Sequence, residues 1–270
     1  MSPSATRCFD AIGNPAIISV LHLPDPFATS ATSPAQLEDY VLANAQVFAQ
    51  AGIPAMMLQD QTRETGDARP ATVAVMSALG RLMRREFPAM KLGIIVQAHD
   101  AVAPLAIAHA ADACFVRLKI FVAAAMTMEG PRTGLGVPAR SYRHALGRDD
   151  IAILADVFDR TSLPMVDVSS ERASRWAESL GADGIVLTGE SFEDSLARIG
   201  KARSAGLAVP LIIGGGVTTA NVAQALRVAD GVIVSTSLMR TRHAPDEILR
   251  WDRDETHRFM DVVRSLSNRT

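Results

Sequence analysis

Two cationic residues stand two positions apart within a short apolar run of the chain. The run is ACFVRLKI (residues 113–120), in which Arg117 and Lys119 alternate with apolar residues. Side chains two apart on a β-strand point to the same face, so both cations would share one face of a buried strand. Buried cations need anions, which protein carboxylates or a substrate can supply. Asp156, near the end of a later apolar run, is the candidate protein partner.

This arrangement leaves two interpretations open. One is a structural ionic network of Arg117, Lys119 and Asp156. The other is a catalytic site, in which Arg117 and Lys119 stabilise a developing oxyanion or Lys119 forms a Schiff base. Asp156 would then move protons.

A run of three glycines follows another apolar stretch, VPLIIGGGVTT (residues 209–219). Glycine allows positive φ and close approach of the backbone to a ligand, so the run could cradle a phosphate or only end a strand in a tight turn. Small hydroxylated residues after the last apolar run could complete a cradle. The candidate phosphate-binding residues are Gly214, Gly215, Gly216, Ser235 and Thr236.

Histidines and acidic residues follow several other apolar runs. His22 could act as a base, bind a substrate oxygen, or be hydrogen-bonded into the rim of the fold. His99 and Asp100 could form an acid–base pair, although Asp100 could instead cap the helix that follows. The candidate catalytic residues are Lys119, Asp156, His99, His22, Arg117 and Asp60.

A divalent metal site would draw on His22, Asp60, His99 and Asp156. No short-spaced ligand motif supports such a site. We therefore predict no cofactor.

Eight short apolar runs alternate with longer amphipathic stretches, which predicts alternating strands and helices. The runs are residues 16–23, 55–60, 91–97, 113–120, 152–157, 184–189, 210–216 and 231–238. Strands that are apolar on both faces are typical of a parallel sheet covered by helices, and eight strand–helix units fit a (β/α)8 barrel. An open doubly wound sheet is the alternative, but its glycine pattern is missing after the first run. We predict one barrel domain over residues 1–270, with about residues 1–15 as an N-terminal extension.

In such a barrel the polar residues that follow the strands lie at one face, because the carboxyl ends of the strands meet there and substrates bind there. Phosphate is often bound there by the loops after strands seven and eight. The segment 121–141, which contains glycine and proline, is predicted to be a lid over this face or a mobile loop. The candidate substrate-binding residues are Asp100, Thr127, Glu129, Arg160 and Thr188.

Composition limits the partners of the protein. The chain is 48% hydrophobic and 21% charged, with a net charge of −2 and a pI near 6.3. It therefore has no basic footprint for nucleic acid or an anionic membrane. Cys8 and Cys114 lack a metal-ligand pattern, as expected of thiols in a reducing cytosol, and no apolar signal segment opens the chain. We expect a cytoplasmic protein that binds a phosphorylated small molecule, and a homo-oligomer is compatible with these features.

Several stretches in one register resemble the BtpA/SgcQ family. They are IISVLHLPDPF, LAIAHAADACFVR, AMTMEG, ILADVFDR, ADGIVLTG and IIGGGVTTANVAQALRVADGVIVSTSLM, from about Ile17 to Met239. The resemblance implies a (β/α)8 barrel similar to the ribulose-phosphate-binding barrels. Family members are linked to photosystem I accumulation in phototrophs and to carbohydrate or nucleoside operons in other bacteria.

This chain has the residue expected from the resemblance at some pocket positions and a different residue at others. Kept are His22, Asp100, Arg117, Thr127, Gly130, Asp156, Thr188, Gly189, Gly215, Gly216, Val217, Thr218 and Asn221. Changed positions include Gln59 and Asp60 for a usual Glu–Asn, Ala98 and His99 for Arg–Asn, and Lys119 for Asn. Because new ionisable groups arrive where old ones are lost, we expect a changed activity rather than a lost one.

These features together favour an enzyme that acts on a phosphorylated sugar or nucleotide-like molecule by lyase or isomerase chemistry. Two alternatives stay open. One is a non-catalytic assembly or regulatory protein of the photosystem I biogenesis type. The other is a metal-dependent hydrolase.

Overall fold

Eight parallel strands close into a barrel in the computed structural model of the protein. The structure describes residues 12–24, 33–62, 66–158, 161–242 and 247–267. Arg160 and residues 1–11 of the predicted extension lie outside the described residues, so the predictions made for them stay predictions.

The strands follow one another around the barrel in chain order, apart from three that form a separate small sheet. The strands are β1 (Ala16–His22), β2 (Ala55–Gln59), β3 (Lys91–Ile95), β4 (Phe115–Leu118), β5 (Ala124–Thr127), β6 (Gly130–Thr133), β7 (Ala152–Phe158), β8 (Leu163–Pro164), β9 (Gly184–Leu187), β10 (Leu211–Ile213) and β11 (Gly231–Val234). Around the barrel the order is β1-β2-β3-β4-β7-β9-β10-β11, and β11 pairs with β1. The predicted (β/α)8 barrel is confirmed, and the open doubly wound sheet is wrong.

Helices cover the outside of the barrel. They are α1 (Pro34–Ala51), α2 (Pro70–Glu86), α3 (Ala103–Ala111), α4 (Gly136–Ala145), α5 (Ser170–Ser179), α6 (Phe192–Arg203), α7 (Val222–Ala225) and α8 (Arg253–Ser267). Helix α1 illustrates the end signals: Ser33 and Gln36 form a capping box, and Gly52 ends the helix at φ +79°. A polar N-cap and a left-handed glycine satisfy the backbone groups that a helix leaves unpaired.

Alternate residues of each barrel strand divide the core into two layers. Ile18 and Phe115 pack inside the barrel, whereas their neighbours Ile17 and Val116 pack between the strands and the helices. This is the period-two alternation of a strand. Because both layers are apolar, the strands appear in the sequence as nearly continuous apolar runs.

The segment 121–141, predicted as a lid or mobile loop, contains regular structure. Strands β5 and β6 form an antiparallel hairpin, and β5 also pairs with β8. The remainder of the segment includes the first turns of α4. Its role as a lid stays a prediction.

Candidate functional site

A cavity of about 840 Å³ opens at the carboxyl ends of the barrel strands. It is lined by Val20, His22, Gln59, Gln61, Ile95, Gln97, Arg117, Lys119, Ile120, Thr127, Met128, Glu129, Arg132, Thr161, Thr188, Gly214, Gly215, Gly216, Val217, Thr218, Ile233, Ser235, Thr236 and Ser237. The described lining therefore combines three cationic side chains with one carboxylate, which favours an anionic ligand. The cations are Arg117, Lys119 and Arg132, and the carboxylate is Glu129.

The strand alternation explains why this end of the barrel is polar. In each strand, the position two residues beyond the last apolar side chain packed inside the barrel is polar or glycine. These positions are His22, Gln59, Gln97, Arg117, Asp156, Thr188, Gly214 and Ser235. One layer of the barrel interior is thus built from seven polar side chains and one glycine, directly above an apolar floor that includes Phe115.

Arg117 and Asp156 form a two-bond ion pair at the base of the cavity. Arg117 Nε and Nη2 donate to the two carboxylate oxygens of Asp156 at 3.0 Å each. The Asp156 side chain has no exposure to solvent, and that of Arg117 is 11% exposed. This geometry fixes the guanidinium plane, so the remaining edge of Arg117 is presented to the cavity in one orientation.

Lys119 is held by an amide from the neighbouring strand. Its Nζ donates to Gln97 Oε1 at 2.9 Å. The backbone of Gln97 is fixed in turn, because its N–H donates to Asp60 Oδ1 at 2.7 Å and its carbonyl accepts from Arg132 Nη1 at 3.4 Å. Gln97 therefore connects Lys119 both to the buried carboxylate of Asp60 and to the β5–β6 hairpin.

Gly214 creates a notch in the cavity floor. A Cβ at this position would overlap the hydroxyl of Thr188 and lie 3.2 Å from Arg117 Nη2. Thr188 is 7% exposed, and its hydroxyl has no hydrogen-bond partner within the described ranges. The Gly214 N–H donates to the carbonyl of Leu187 at 3.1 Å. Gly214 thus leaves room for polar groups, and its own amide is already used by the barrel.

The loop after β10 is shaped by Asn221. Its side-chain amide donates to the Gly216 carbonyl at 3.0 Å, and its side-chain oxygen accepts from the Thr218 N–H at 2.7 Å. Gly216 has φ +76°, which a residue with a Cβ rarely adopts. The amides of Gly215 and Gly216 donate to no protein acceptor in the part of the chain that the structure describes.

Hydroxyl groups after β11 tie this loop to its neighbours. Ser235 Oγ donates to the Val20 carbonyl at 3.0 Å, and Ser237 Oγ donates to the Val217 carbonyl at 2.7 Å. The hydroxyl of Thr236, between them, has no partner among the described residues. The end of β11 is therefore hydrogen-bonded to β1 and to the glycine loop, which it borders.

The β5–β6 hairpin supplies one wall of the cavity. Thr127, Met128, Glu129 and Arg132 all line it. The Thr127 hydroxyl donates to the Gly130 carbonyl at 2.9 Å and closes the turn, and Glu129 Oε2 lies 3.5 Å from Arg132 Nη2. The hairpin thus brings a carboxylate and a second guanidinium group to the barrel mouth.

His22 is held in its neutral form by its surroundings. Burial lowers the pKa of the imidazole below its ordinary value of 6.5. The ring of Trp251 packs behind it, with centroids 6.2 Å apart, and the His22 carbonyl accepts from the Tyr40 hydroxyl at 3.0 Å. A neutral imidazole at the cavity wall can accept a proton.

Comparisons with known proteins agree with this architecture. The model of the BtpA family matches residues 14–265. The chain belongs to the BtpA family. The photosystem I biogenesis protein BtpA of Synechocystis is 30% identical over 83% of this chain and 80% of its own length. An uncharacterized protein of Archaeoglobus fulgidus is 30% identical over 83% of this chain and 91% of its own length.

Solved structures similar to this BtpA family member are barrels of the same type. Ligand-free tryptophan synthase from M. tuberculosis has a TM-score of 0.61 at 15% identity, covering 97% of this chain and 98% of that chain. Phosphoribosyl anthranilate isomerase from Thermus thermophilus has a TM-score of 0.53 at 14% identity, and the match covers 93% of this chain and 98% of that chain. At these identities the likeness shows the fold alone.

Besides Asp156, which lies buried behind Arg117, three predicted site residues of this family member lie outside the cavity lining: Asp60, Asp100 and His99. Asp60 is buried and accepts from Thr62 as well as from Gln97. Asp100 caps α3, because its Oδ1 accepts the N–H groups of residues 102 and 103, and its Oδ2 accepts that of residue 68. His99 contacts the Thr133 carbonyl at 2.8 Å. The contacts of Asp100 are those of the predicted helix cap. Asp60, Asp100 and His99 all hydrogen-bond to backbone groups and so hold neighbouring segments in place.

Several lining residues were not among the predicted site residues. They are Gln59, Gln61, Gln97, Met128, Arg132, Thr161, Val217, Thr218 and Ser237. The two-residue alternation of the barrel strands would have found Gln59, Gln61 and Gln97. Arg132 comes from a hairpin outside the barrel, and only its proximity to Gln97 in the fold brings it to the site.

The described residues contain no group of three or more His, Cys, Asp or Glu side chains arranged to hold a metal ion. Asp156 and Asp60 instead accept hydrogen bonds from Arg117 and from backbone amides. The hypothesis of a metal-dependent hydrolase has no ligand set in this part of the chain. No described helix is long and apolar enough to cross a membrane.

Proposed function

We propose that this BtpA family member is an enzyme that acts on a phosphorylated small molecule, by lyase or isomerase chemistry. The phosphate would be bound by the amides of Gly215 and Gly216 and by the hydroxyl of Thr236. The supporting observation is that these donors border the cavity and have no protein acceptor within the described ranges. Unpaired backbone amides beside a glycine are a typical site for an anion.

The reacting part of the molecule would lie across the barrel mouth from the phosphate. In the circular strand order, β4 stands opposite β11 and β3 stands opposite β10. Lys119 and Gln97 are therefore opposite the phosphate anchor. Arg117 and Thr188 lie between the two sides, where they would donate hydrogen bonds to a substrate carbonyl oxygen. The Thr188 hydroxyl has no partner among the described residues.

Two routes use these groups. In the first, the Lys119 amine attacks a substrate carbonyl, water is released, and the resulting Schiff base accepts the electron pair of an adjacent bond that breaks. In the second, neutral His22 or the Glu129 carboxylate removes a proton next to a carbonyl that Arg117 and Thr188 polarise. We favour the first route because Gln97 holds the Lys119 amine at the cavity wall.

Pyridoxal phosphate tests this proposal without knowledge of the substrate, because it carries both an aldehyde and a phosphate. The lysines of the sequence are Lys91, Lys119 and Lys201. After borohydride reduction, we expect the label on Lys119, and we expect inorganic phosphate to protect it. Lys91 and Lys201 lie outside the cavity lining and serve as internal controls in peptide mass spectrometry.

The outcome that contradicts the proposal is equal labelling of the lysines, or labelling of Lys119 that phosphate does not reduce. The non-catalytic alternative is supported by the name of the Synechocystis relative, which is a photosystem I biogenesis protein. It predicts that the Lys119→Met variant keeps the full cellular role of the protein. An enzyme with the proposed mechanism loses that role in the Lys119→Met variant.

A further inference from the structure

We propose that the cavity wall formed by Gln59, Gln61 and Gln97 binds hydroxyl groups, so that the ligand is a phosphorylated sugar or polyol. These three side chains are called the amide wall below. The inference rests on the proposed function, because the phosphate anchor would hold the other end of the same ligand.

Strand geometry brings the three glutamines to one side of the cavity. Gln59 lies two residues beyond Met57, which packs inside the barrel, and Gln61 lies two residues further. Strands β2 and β3 are neighbours with Gln59 opposite Ile95, and Gln97 lies two residues beyond Ile95. All three glutamines line the cavity, so they form one continuous surface.

The amide wall has hydrogen-bonding capacity that the protein does not use. Gln97 Oε1 accepts from Lys119, which leaves the Gln97 amide NH2 group as a donor. In the described part of the chain, the side chains of Gln59 and Gln61 form no hydrogen bond. A primary amide both donates and accepts, as a hydroxyl does. The amide wall therefore matches hydroxyl groups without adding charge.

The amide wall also lies at a suitable place relative to the phosphate anchor. Strand β3 stands opposite β10, and β2 stands opposite β9. A ligand whose phosphate is bound by the glycine loop would extend across the mouth and present its far end to the amide wall. Lys119 stands beside that end, because its Nζ contacts Gln97.

The apolar residues of the cavity lining favour a sugar over a nucleotide as the ligand. Val20, Ile95 and Ile233 are aliphatic, and no Phe, Tyr or Trp lines the cavity among the described residues. Proteins that bind nucleobases commonly stack them on aromatic rings. Among the described lining residues, the His22 imidazole is the largest aromatic ring available for stacking, whereas the three amides suit a chain of hydroxyls.

Two four-carbon phosphate esters provide the test. Erythritol 4-phosphate has three free hydroxyls, n-butyl phosphate has none, and neither has a carbonyl with which Lys119 could react. We expect calorimetric titration of the full chain to give erythritol phosphate about tenfold higher affinity, since several neutral hydrogen bonds contribute. The Gln59→Met variant should reduce this ratio about threefold, and Gln59→Met/Gln61→Met should reduce it to about twofold, since the amide of Gln97 remains.

The matched control is Gln46→Met, which changes an exposed glutamine of α1 and should leave the ratio unchanged. Equal binding of the two esters, or a preference that the double variant leaves undiminished, would overturn the inference while inorganic phosphate binding upholds the anchor. Tighter binding of adenosine 5′-phosphate that does not depend on Gln59 would also overturn it. If the folded protein binds neither ester nor inorganic phosphate, the proposed function fails as well.

Discussion

The ion pair of Arg117 and Asp156 has almost no contact with solvent, and both members are needed to keep it neutral. Removal of one partner from a buried pair leaves an uncompensated charge, which costs about 3–5 kcal/mol. We therefore expect Asp156→Asn to lower the free energy of unfolding by about 3 kcal/mol or more. The Arg117→Met/Asp156→Asn double variant should recover much of this loss, because no unpaired charge remains.

Urea unfolding of the wild type, both single variants and the double variant measures this coupling. Additive losses would contradict the predicted dependence of Arg117 on Asp156. The double variant should still fail to bind the substrate carbonyl, because the guanidinium donor is gone. The double variant thus separates the contribution of the Arg117–Asp156 pair to stability from its contribution to ligand recognition.

The lowered pKa of His22 predicts a pH dependence of stability. Burial favours the neutral imidazole in the folded state, whereas the unfolded chain takes up a proton near its ordinary pKa of about 6.5. The unfolded state therefore binds more protons as the pH falls through this range, and the folded protein loses stability. Above the ordinary pKa this loss is absent.

His22→Gln should reduce the decline in unfolding free energy between about pH 7 and pH 5. The comparison variant is His257→Gln, which changes an exposed residue of α8 and should keep the decline. Urea unfolding at several pH values measures both. An unchanged slope in His22→Gln would show that the burial of His22 does not govern the effect.

At the residue scale, sequence spacing predicted the Arg117–Asp156 pair but not the roles of the other ionisable groups. The alternation of a strand is local, so the sequence alone puts Arg117 and Lys119 on one face, and the structure identifies that face as the inner one, because Phe115 of the same face packs inside the barrel. Asp60 and Asp100 were expected at the site because they follow strands. Their oxygens accept backbone N–H groups instead, and such contacts depend on loop paths that the sequence does not specify.

At the scale of elements, the β5–β6 hairpin depends on its attachment to the end of β3. Two side-chain contacts of the described residues make that attachment: His99 contacts the Thr133 carbonyl, and Arg132 donates to the Gln97 carbonyl. Burial lowers the pKa of His99, so the neutral ring donates through Nε2. The hairpin should therefore open more readily when His99 loses this donor.

We expect His99→Phe to increase hydrogen exchange of the β5 and β6 amides about fivefold, since one neutral hydrogen bond is lost. The barrel strands should keep their protection. His257→Ala on α8 provides a control histidine that is exposed and remote in sequence. Unchanged exchange in the hairpin of His99→Phe would contradict the attachment.

The elements themselves were more predictable than their irregular additions. Seven of the eight barrel strands fall within apolar runs, and β7 extends one residue beyond its run, because the two faces of these strands are both buried. The hairpin strands are four residues long and only partly buried, so they lack a periodic signal. Glu129 was identified in the sequence but Arg132 was not, since its place at the site arises from the pairing of β5 with β6.

At the scale of the whole molecule, the barrel separates binding from stability between its two ends. Binding groups lie at the carboxyl ends of the strands, and the amino ends are held by contacts among loops, helices and strands. Arg143 of α4 and Asp183, which precedes β9, form an ion pair whose side chains are 7% and 2% exposed. Asp183 also accepts the Ile153 N–H of β7 at 3.0 Å, so one carboxylate joins three elements.

Asp183→Asn should therefore lower the free energy of unfolding by about 3–5 kcal/mol, because buried Arg143 loses its counter-charge. Its affinity for inorganic phosphate should match the wild type at temperatures where the variant stays folded. Lys119→Met should show the reverse: it loses pyridoxal phosphate trapping but not stability. Asp261→Asn, which removes an exposed pair with Arg264, should change stability by less than about 1 kcal/mol. Weaker phosphate binding by folded Asp183→Asn would mean that the two ends of the barrel are coupled.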